Sequence, residues 1–297
     1  MPGNLGTVCG MTRHNTRTLL ASLATLAFFP TMALADPVPA ARIAAPTSDS
    51  KANAVCRNAS LLGTSDRGRL NVNPCTVRTR EGAEEMGYSN TSSSAGAHLT
   101  TAPSARTRVG IADGLELQFT APSSQHFTGP DQTRIVGQSN TAIGAKYQFQ
   151  NEGRFAHGVA VNAIMPTGTN NVTTGRPEYQ ESYQAGYAVS PYLTATGMVG
   201  LRQFATPSTT GGKNPVTNAF VPGVGLTARV LPKTSLGAEV QSVSSLGPGT
   251  SGSTYGNLFA QHELTHNLAV DVNAGQQFNT TLGQKTHDVG VGLGVKF

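Results

Sequence analysis

The sequence predicts an all-β protein, an up-and-down antiparallel transmembrane β-barrel of about twelve strands. Three observations support this prediction. An export signal stands at the amino terminus, alternating apolar segments recur from Gly82 onward, and short connections alternate with long ones. Short turns on one rim and longer loops on the other are typical of outer-membrane barrels, whose short turns face the periplasm.

Residues 1–35 are interpreted as a signal peptide. Arg13 and Arg17 precede an apolar run at 19–29, and residues 33–35 fit the A-x-A cleavage pattern. The run is too short to span a bilayer as a helix, which needs about 20 residues. We therefore expect an exported chain without a helical membrane anchor, located in the outer membrane.

Residues 36–81 are expected to form an amino-terminal periplasmic segment. Cys56 and Cys75 remain after signal removal, and an even pair in an oxidising compartment predicts a disulfide. It closes a loop of about 20 residues and stabilises by roughly 3 kcal/mol in the chain-entropy model. Two thiols without nearby histidines make a poor zinc site.

Residues 82–297 are expected to form the barrel. Their strand segments suit spans of 9–11 tilted residues. The tight connections, such as Asp113-Gly114, carry turn-forming residues, whereas longer ones such as 123–139 are rich in Gly, Ser, Thr and Pro. The predicted strands are 82–92, 98–111, 115–122, 140–150, 155–165, 178–189, 193–204, 218–231, 234–244, 254–264, 268–278 and 287–297.

The last strand alternates without interruption. Valines and a leucine at 289–295 share one face with Phe297, while glycines and Lys296 occupy the other. This ending resembles the closing strand of bacterial outer-membrane barrels, in which a terminal Phe directs insertion. The resemblance implies outer-membrane lipid and the barrel-assembly machinery as partners, the latter through this strand. An edge strand of a soluble sandwich is the alternative.

Composition argues against several function classes. A charged fraction of 12%, 34 glycines and no tryptophan are unusual for a helical cytosolic enzyme. Loss of the signal lowers the net charge from +5 to about +3, because it removes two arginines and no acid. The sequence contains no stripe of basic residues interleaved with aromatics, so nucleic acid is not an expected partner.

Six short segments occur in a characteristic order along the chain: GLELQFTAP, NTAIGAKYQF, VAVNAIMPTG, AGYAVSPYLTATGMVG, LTHNLAVDVNAG and VGVGLGVKF. The most characteristic is the apolar strand ending in Met165 to Gly168. In this order the segments resemble the outer-membrane transporter family of the meta-pathway of phenol degradation. The resemblance covers 82–297, whereas 36–81 departs from the family. It implies a barrel that passes small, often aromatic or hydrophobic, compounds, and it supplies no catalytic residue.

The catalytic and nucleotide-binding motifs lie in strand contexts. His262, Glu263 and His266 match the zinc-peptidase pattern H-E-x-x-H, which needs a helix to bring both histidines to one face. The flanks alternate as strands, so a zinc peptidase is only a remote alternative. The glycines at 223–225 and 290–294 also lie inside strands rather than in a phosphate-binding turn. We therefore predict no catalytic, metal or cofactor site, and no cofactor.

Alternation places a set of charged residues on the lumen face, where charge can be hydrated or paired. The set contains six cations and three anions, which predicts a weakly positive lumen. It forms either a solute-selecting constriction or a salt-bridged filling that closes the barrel, and the sequence favours neither. The residues are Arg106, Arg108, Glu116, Lys146, Arg202, Arg229, Glu239, Asp271 and Lys296.

The sequence thus favours a non-enzymatic channel for passive passage of a small-molecule solute. A structural or receptor-type barrel without transport is the alternative.

Overall fold

The computed structural model describes residues 55–56, 61–205, 216–245, 252–279 and 285–297. The predicted signal at 1–35, most of 36–60 and parts of three long loops lie outside these residues. Within the described part, the one helix is α1 (Leu61–Thr64), and no helix there is long and apolar enough to cross a membrane.

Twelve antiparallel strands close into a barrel, and a two-stranded hairpin extends its wall. Neighbouring strands pair in sequence order, and β1 pairs with both β2 and β14, which closes the ring. The strands are β1 (Gly82–Ser93), β2 (His98–Ala112), β3 (Leu115–Thr120), β4 (Ser124–Thr128), β5 (Arg134–Gln138), β6 (Thr141–Glu152), β7 (Phe155–Met165), β8 (Glu178–Ser190), β9 (Leu193–Ala205), β10 (Val216–Leu231), β11 (Thr234–Ser245), β12 (Ser253–Thr265), β13 (Leu268–Asn279) and β14 (Thr286–Lys296).

The predicted barrel is confirmed, and each of the twelve predicted strands ends within two residues of its observed bounds. The prediction of a loop at 123–139 is wrong, because this segment forms the β4–β5 hairpin. β3 pairs with the second half of β2, from Arg106 to Ala112, and ends at Thr120. The first half of β2 therefore has no partner in β3. β4 pairs with this otherwise uncovered half of β2, from His98 to Ala102.

The tip of the hairpin carries Asp131. Hydrogen bonds from the Thr133 side chain and backbone N–H lower the pKa of the Asp131 carboxyl. The Asp131 side chain is fully exposed to solvent.

The seam of the barrel lies where the start of β1 meets the end of β14 at the short-turn rim. Gly82 donates its N–H to Phe297 O at 2.7 Å, and Phe297 donates its N–H to Gly82 O at 2.9 Å. These two bonds continue the β1–β14 ladder by one residue beyond Lys296.

The outer surface is apolar and the inner surface is polar. Large side chains such as Leu117, Phe119 and Ile143 are exposed on the outside, although they would be buried in a soluble protein. Tyr147 and Phe149 pack edge to face at 5.1 Å on the same surface. Fully buried side chains include Arg108 and Lys146, which point inward. This inverted distribution suits a wall surrounded by lipid.

Candidate functional site: the occupied lumen

The lumen is filled by the chain's own residues 61–77, hereafter the plug. The plug contacts every one of the twelve barrel strands, and a segment that touches the whole circumference of a closed wall lies inside it. Its neighbours, one from each strand in chain order, are Glu85, Arg106, Glu116, Lys146, Ala160, Gly186, Met198, Val224, Glu239, Asn257, Asp271 and Gly294.

The plug belongs to the segment 36–81, which the sequence predicts to be periplasmic, and its described residues lie inside the barrel. The plug is strongly polar, with Asp66, Arg67, Asn71 and Asn73 among its residues, yet most of it is buried. Buried polar groups require partners. The lumen-facing side chains of the strands supply them, so the segment packs inside.

Asp66 is the main ionic anchor of the plug. Arg106 donates to its carboxylate at 3.0 Å, Lys146 Nζ lies 3.4 Å away and Arg108 Nε 3.9 Å away. All four groups are buried. Three wall cations therefore converge on one plug carboxylate.

A carboxylate framework holds Arg108 in this cluster. Glu116 accepts from Arg108 Nε and Nη2, both at 2.8 Å, and Glu85 accepts from Nη1 at 3.1 Å. Arg108 also donates to the carbonyl of Thr64, at the end of α1. Glu85 additionally accepts the backbone N–H of Asp66 at 3.0 Å. Wall and plug thus form one continuous network.

Arg69 forms a second anchor on the opposite wall. Its Nη2 lies 2.7 Å from the Glu239 carboxylate and donates to Thr227 Oγ1 at 3.0 Å. Its guanidinium carbon lies 4.4 Å from the centre of the Phe259 ring. Glu239 also accepts the Leu70 N–H at 2.6 Å. The plug backbone and side chain therefore share one buried carboxylate.

Arg67 forms the third anchor. It lies 3.3 Å from Asp271 and donates to the carbonyls of Tyr88 and Val291. Its guanidinium fits between Gly87 and Gly292, where a methyl group at either position would overlap it. The intervening Gly68 has a φ of 74°, which favours glycine, and its carbonyl accepts from Asn257 at 2.8 Å.

The predicted disulfide between Cys56 and Cys75 is present, with an S–S distance of 2.05 Å. It packs with Ala156 and Ala188 of the wall. Lys146 donates to the Cys75 carbonyl at 3.2 Å. The cross-link therefore ties the end of the plug to the residues that precede it.

The remaining predicted lumen residues lie at two levels. Arg202 is buried and pairs with Glu178 at 3.5 Å, toward the long-loop rim. Arg229 is half-buried at the short-turn end of β10 and donates to Pro232 O. Lys296 pairs with Glu81 at 2.7 Å beside the barrel seam.

Several charged residues of this network are absent from the sequence-based set, and they change the charge balance. The described wall carries six inward cations, but seven inward anions, so the expected positive wall is wrong. The anions are Glu85, Glu116, Glu178, Glu239, Glu263, Asp271 and Asp288. The plug adds Asp66, Arg67 and Arg69, which brings the lumen close to neutrality. The sequence signal that marks the plug is Asp-Arg-Gly-Arg at 66–69, a dense charge group in a chain with 12% charged residues.

A cavity, hereafter the vestibule, lies between the plug and the long-loop rim. It is partly open to solvent. Its lining includes Arg67 and Arg69 of the plug and Arg106 of the wall. Its accessible surface is mostly apolar, although many lining residues carry a hydroxyl or amide: Ser89, Thr91, Thr101, Ser104, Thr120, Ser123, Ser139, Asn140, Asn162, Gln180, Tyr255, Asn257 and Asn273.

The structure places the H-E-x-x-H motif on a strand end and a turn. His262 is exposed on β12 and lies 2.9 Å from Thr234 Oγ1, whereas Glu263 has the opposite, inward parity. The helical spacing that the zinc motif requires is therefore not formed. No group of three or more potential metal ligands occurs among the described residues. Gly223, Gly225 and the glycines of β14 likewise lie within strands.

Solved structures similar to this chain are outer-membrane β-barrels. The COG4313 outer membrane channel from Pseudomonas putida F1 aligns with a TM-score of 0.57 and 15% identity, over 75% of this chain and 97% of that one. The NanC porin aligns with a TM-score of 0.52 and 10% identity, over 71% and 100% of the two chains. At these identities the likeness shows the fold. Neither a protein-family model nor the sequence of a characterised protein matches this chain.

Proposed function

We propose that this protein is a non-enzymatic outer-membrane channel for passive passage of small solutes, and that the plug closes it. The observation that carries the proposal is a closed wall, apolar outside and polar inside, whose lumen is occupied by a separate segment of the same chain. A polar lumen is the feature that water-filled barrels use for diffusion.

The plug must move for solutes to pass, because it contacts the whole circumference of the wall. Its charged residues Asp66, Arg67 and Arg69 are held by ionic and hydrogen-bonded contacts. These contacts can be exchanged for water when the segment leaves. The apolar contacts of Leu61, Leu62 and Val72 with the wall must be broken as well. The aromatic or hydrophobic solutes implied by the family resemblance remain one candidate cargo, taken up down a gradient without a cofactor.

Planar-bilayer recording tests the proposal. Wild-type protein is compared with a plug-deleted variant, which lacks residues 61–77 and carries Cys56→Ser so that no lone thiol remains. We expect few or brief openings from wild type and large, stable conductance steps from the variant. Heat-modifiable gel migration verifies that both barrels are folded.

A plug-deleted variant that is folded and yet never conducts would contradict the channel proposal. The buried ion-pair network would then support the second candidate, a structural or receptor-type barrel whose filled lumen stabilises the wall. Breaking a buried pair costs about 3–5 kcal/mol, so such a barrel should also unfold more readily without its plug.

A further inference from the structure

Basic side chains collect on the outer face of the wall on one side of the barrel, at the long-loop rim. The strands there are β14, β1, β2, β4 and β5, which pair in this order. Their register places five residues in one row: His287, Ser92, His98, Thr128 and Arg134. His126 occupies the next outward position on β4, and Lys285 lies just before β14. The exposed residues His98, His126, Arg134, Lys285 and His287 are hereafter the basic patch.

The patch is wide enough to contact more than one anionic group. Neighbouring strands lie about 5 Å apart, so His287, His98 and Arg134 follow one another at about 10 Å along the row. The His126 ring lies beside them, with Nε2 at 3.2 Å from Ser124 Oγ.

The cations of the patch are not neutralised within the described part of the chain. Neither Arg134 nor Lys285 forms an ion pair there. Asp131 is close in sequence, at the hairpin tip, and its carboxylate accepts the Thr133 N–H at 3.1 Å. The patch therefore presents two positive charges and three imidazoles, each with an N–H donor in either protonation state.

The patch lies directly above the apolar band of the wall. The outward residues that follow His287 along β14 are Val289 and Val291, and Tyr88 of β1 is opposite Val291. All three are exposed, as lipid-facing side chains are. The patch thus stands where acyl chains give way to headgroups. Because short turns face the periplasm, this boundary belongs to the outer leaflet.

The rest of the same rim has a different character. Tyr179, Val216 and Phe278 are exposed there, and Glu181 is an outward acid. No basic side chain faces outward at the long-loop ends of the described β7 to β13. The basic patch is therefore one-sided, which indicates a localised contact rather than a general feature of the rim.

We propose that the basic patch binds the phosphate groups of a glycolipid in the outer leaflet, whose acyl chains cover Val289 and Val291. Arg134 and Lys285 supply charge, and the histidines supply hydrogen-bond donors to phosphate oxygens. The proposal rests on the outer-membrane location and is independent of conduction.

Native mass spectrometry of the full-length, detergent-purified protein tests the proposal by titration with lipids. Bisphosphorylated lipid A should bind at least about fivefold more tightly than monophosphoryl lipid A, because each charge near the patch contributes about that factor. Phosphatidylcholine should bind more weakly still, since its own ammonium neutralises its phosphate. Glucosamine 1-phosphate has the phosphate without acyl chains and should bind at least about a hundredfold more weakly than lipid A.

A charge variant locates the phosphate contact. Arg134→Gln with Lys285→Gln removes both cations of the patch, and we expect about twentyfold weaker binding of lipid A. Arg154→Gln with Lys233→Gln is the matched control, because it removes two exposed cations at the short-turn rim. The control should bind lipid A as wild type does.

An imidazole variant tests the histidines separately. His98→Gln with His126→Gln should weaken lipid A binding by about fivefold, because two hydrogen bonds to phosphate are altered. His262→Gln with His266→Gln makes the same change at exposed positions near the short-turn rim and should have no effect. Heat-modifiable gel migration verifies that every variant is folded.

The proposal is overturned if lipid A binds no more tightly than phosphatidylcholine, if the charge variant binds it like wild type, or if the short-turn control weakens binding equally. Equal binding of glucosamine 1-phosphate would show a phosphosugar site without a lipid contact and would also overturn it. A barrel that binds lipid A in this way but never conducts refutes the channel and retains the patch. A conducting barrel without lipid A preference refutes the patch alone.

Discussion

At the scale of single residues, Asp66 is the main ionic anchor of the plug. It is the carboxylate on which Arg106, Arg108 and Lys146 converge. In Asp66→Asn, the buried Arg106 and Lys146 lose this anion, while Arg108 keeps Glu116 and Glu85. Breaking buried pairs of this kind should destabilise the plugged state by about 3–5 kcal/mol. Since 1.4 kcal/mol is a tenfold change, the ratio of open to plugged barrels should rise on the order of a hundredfold or more.

Planar-bilayer recording of Asp66→Asn measures this ratio as open probability. Asp131→Asn is the matched control, since it makes the same chemical change at the exposed hairpin tip. If the folded Asp66→Asn barrel has the same open probability as wild type, Asp66 does not hold the plug.

Gly292 makes room for Arg67. A methyl group there would overlap the Arg67 guanidinium, which must then move away from Asp271, now 3.3 Å distant. Overpacking of this kind typically costs about 1–3 kcal/mol, so Gly292→Ala should raise open probability, but by less than Asp66→Asn. Gly197→Ala is the control, because a methyl group at Gly197 meets nothing within 4 Å. If Gly292→Ala and Gly197→Ala have the same open probability, the Arg67 anchor contributes nothing measurable to closure.

At the scale of elements, the disulfide ties the plug to the residues that precede it. Cys56 and Cys75 close a loop of 19 residues in sequence separation. A cross-link of this span stabilises by roughly 3 kcal/mol in the chain-entropy model. The double variant Cys56→Ser, Cys75→Ser should therefore release the plug more readily, which trypsin digestion after Arg67 or Arg69 in folded protein would detect. The barrel should keep its heat-modifiable migration, because no cysteine lies in the described strands.

Reduction of wild-type protein with dithiothreitol is the companion experiment. It should reproduce the digestion pattern of the double variant. Unchanged protection of the plug in both samples would mean that the ionic anchors suffice without the cross-link.

The barrel strands were predictable because each repeats a local pattern. Alternation such as that of Val289, Val291 and Leu293 indicates a strand with one face toward lipid and the other toward a polar lumen. The short turns carry residues such as Asp113 and Gly114, so strand ends are marked as well. Local sequence therefore contains nearly all the information that the barrel needs.

The plug was not predictable in the same way. Residues 61–77 lack alternation, and their partners are distant in sequence, as in the contact of Arg69 with Glu239 across 170 residues. In the sequence, a charged segment between a predicted signal and a predicted barrel resembles a solvated linker, because its partners on the wall are distant in sequence. The β4–β5 hairpin was missed for a related reason, since its strands have five residues each and β4 depends on the long β2 for pairing.

At the scale of the whole molecule, the plug changes the charge balance of the lumen. The described wall carries six inward cations and seven inward anions, and the plug adds two arginines against one aspartate. The plugged lumen is thus balanced, and the open lumen is weakly negative. Removing the plug also leaves Glu239 and Asp271 facing water without Arg69 and Arg67.

We therefore expect the plug-deleted variant to prefer cations, although the sequence-based set of lumen charges predicts the opposite. Rings of carboxylates in a pore favour cations. Changing a hydrated charge has little effect on the stability of the fold, because water replaces the lost partner. The reversal potential in a KCl gradient gives the sign directly. Adding Glu239→Gln to the plug-deleted variant removes one wall anion and should shift the reversal potential toward anion preference, while leaving gel migration unchanged. Anion selectivity in the plug-deleted variant, or no response to Glu239→Gln, would mean that the wall charges counted here do not face the open passage.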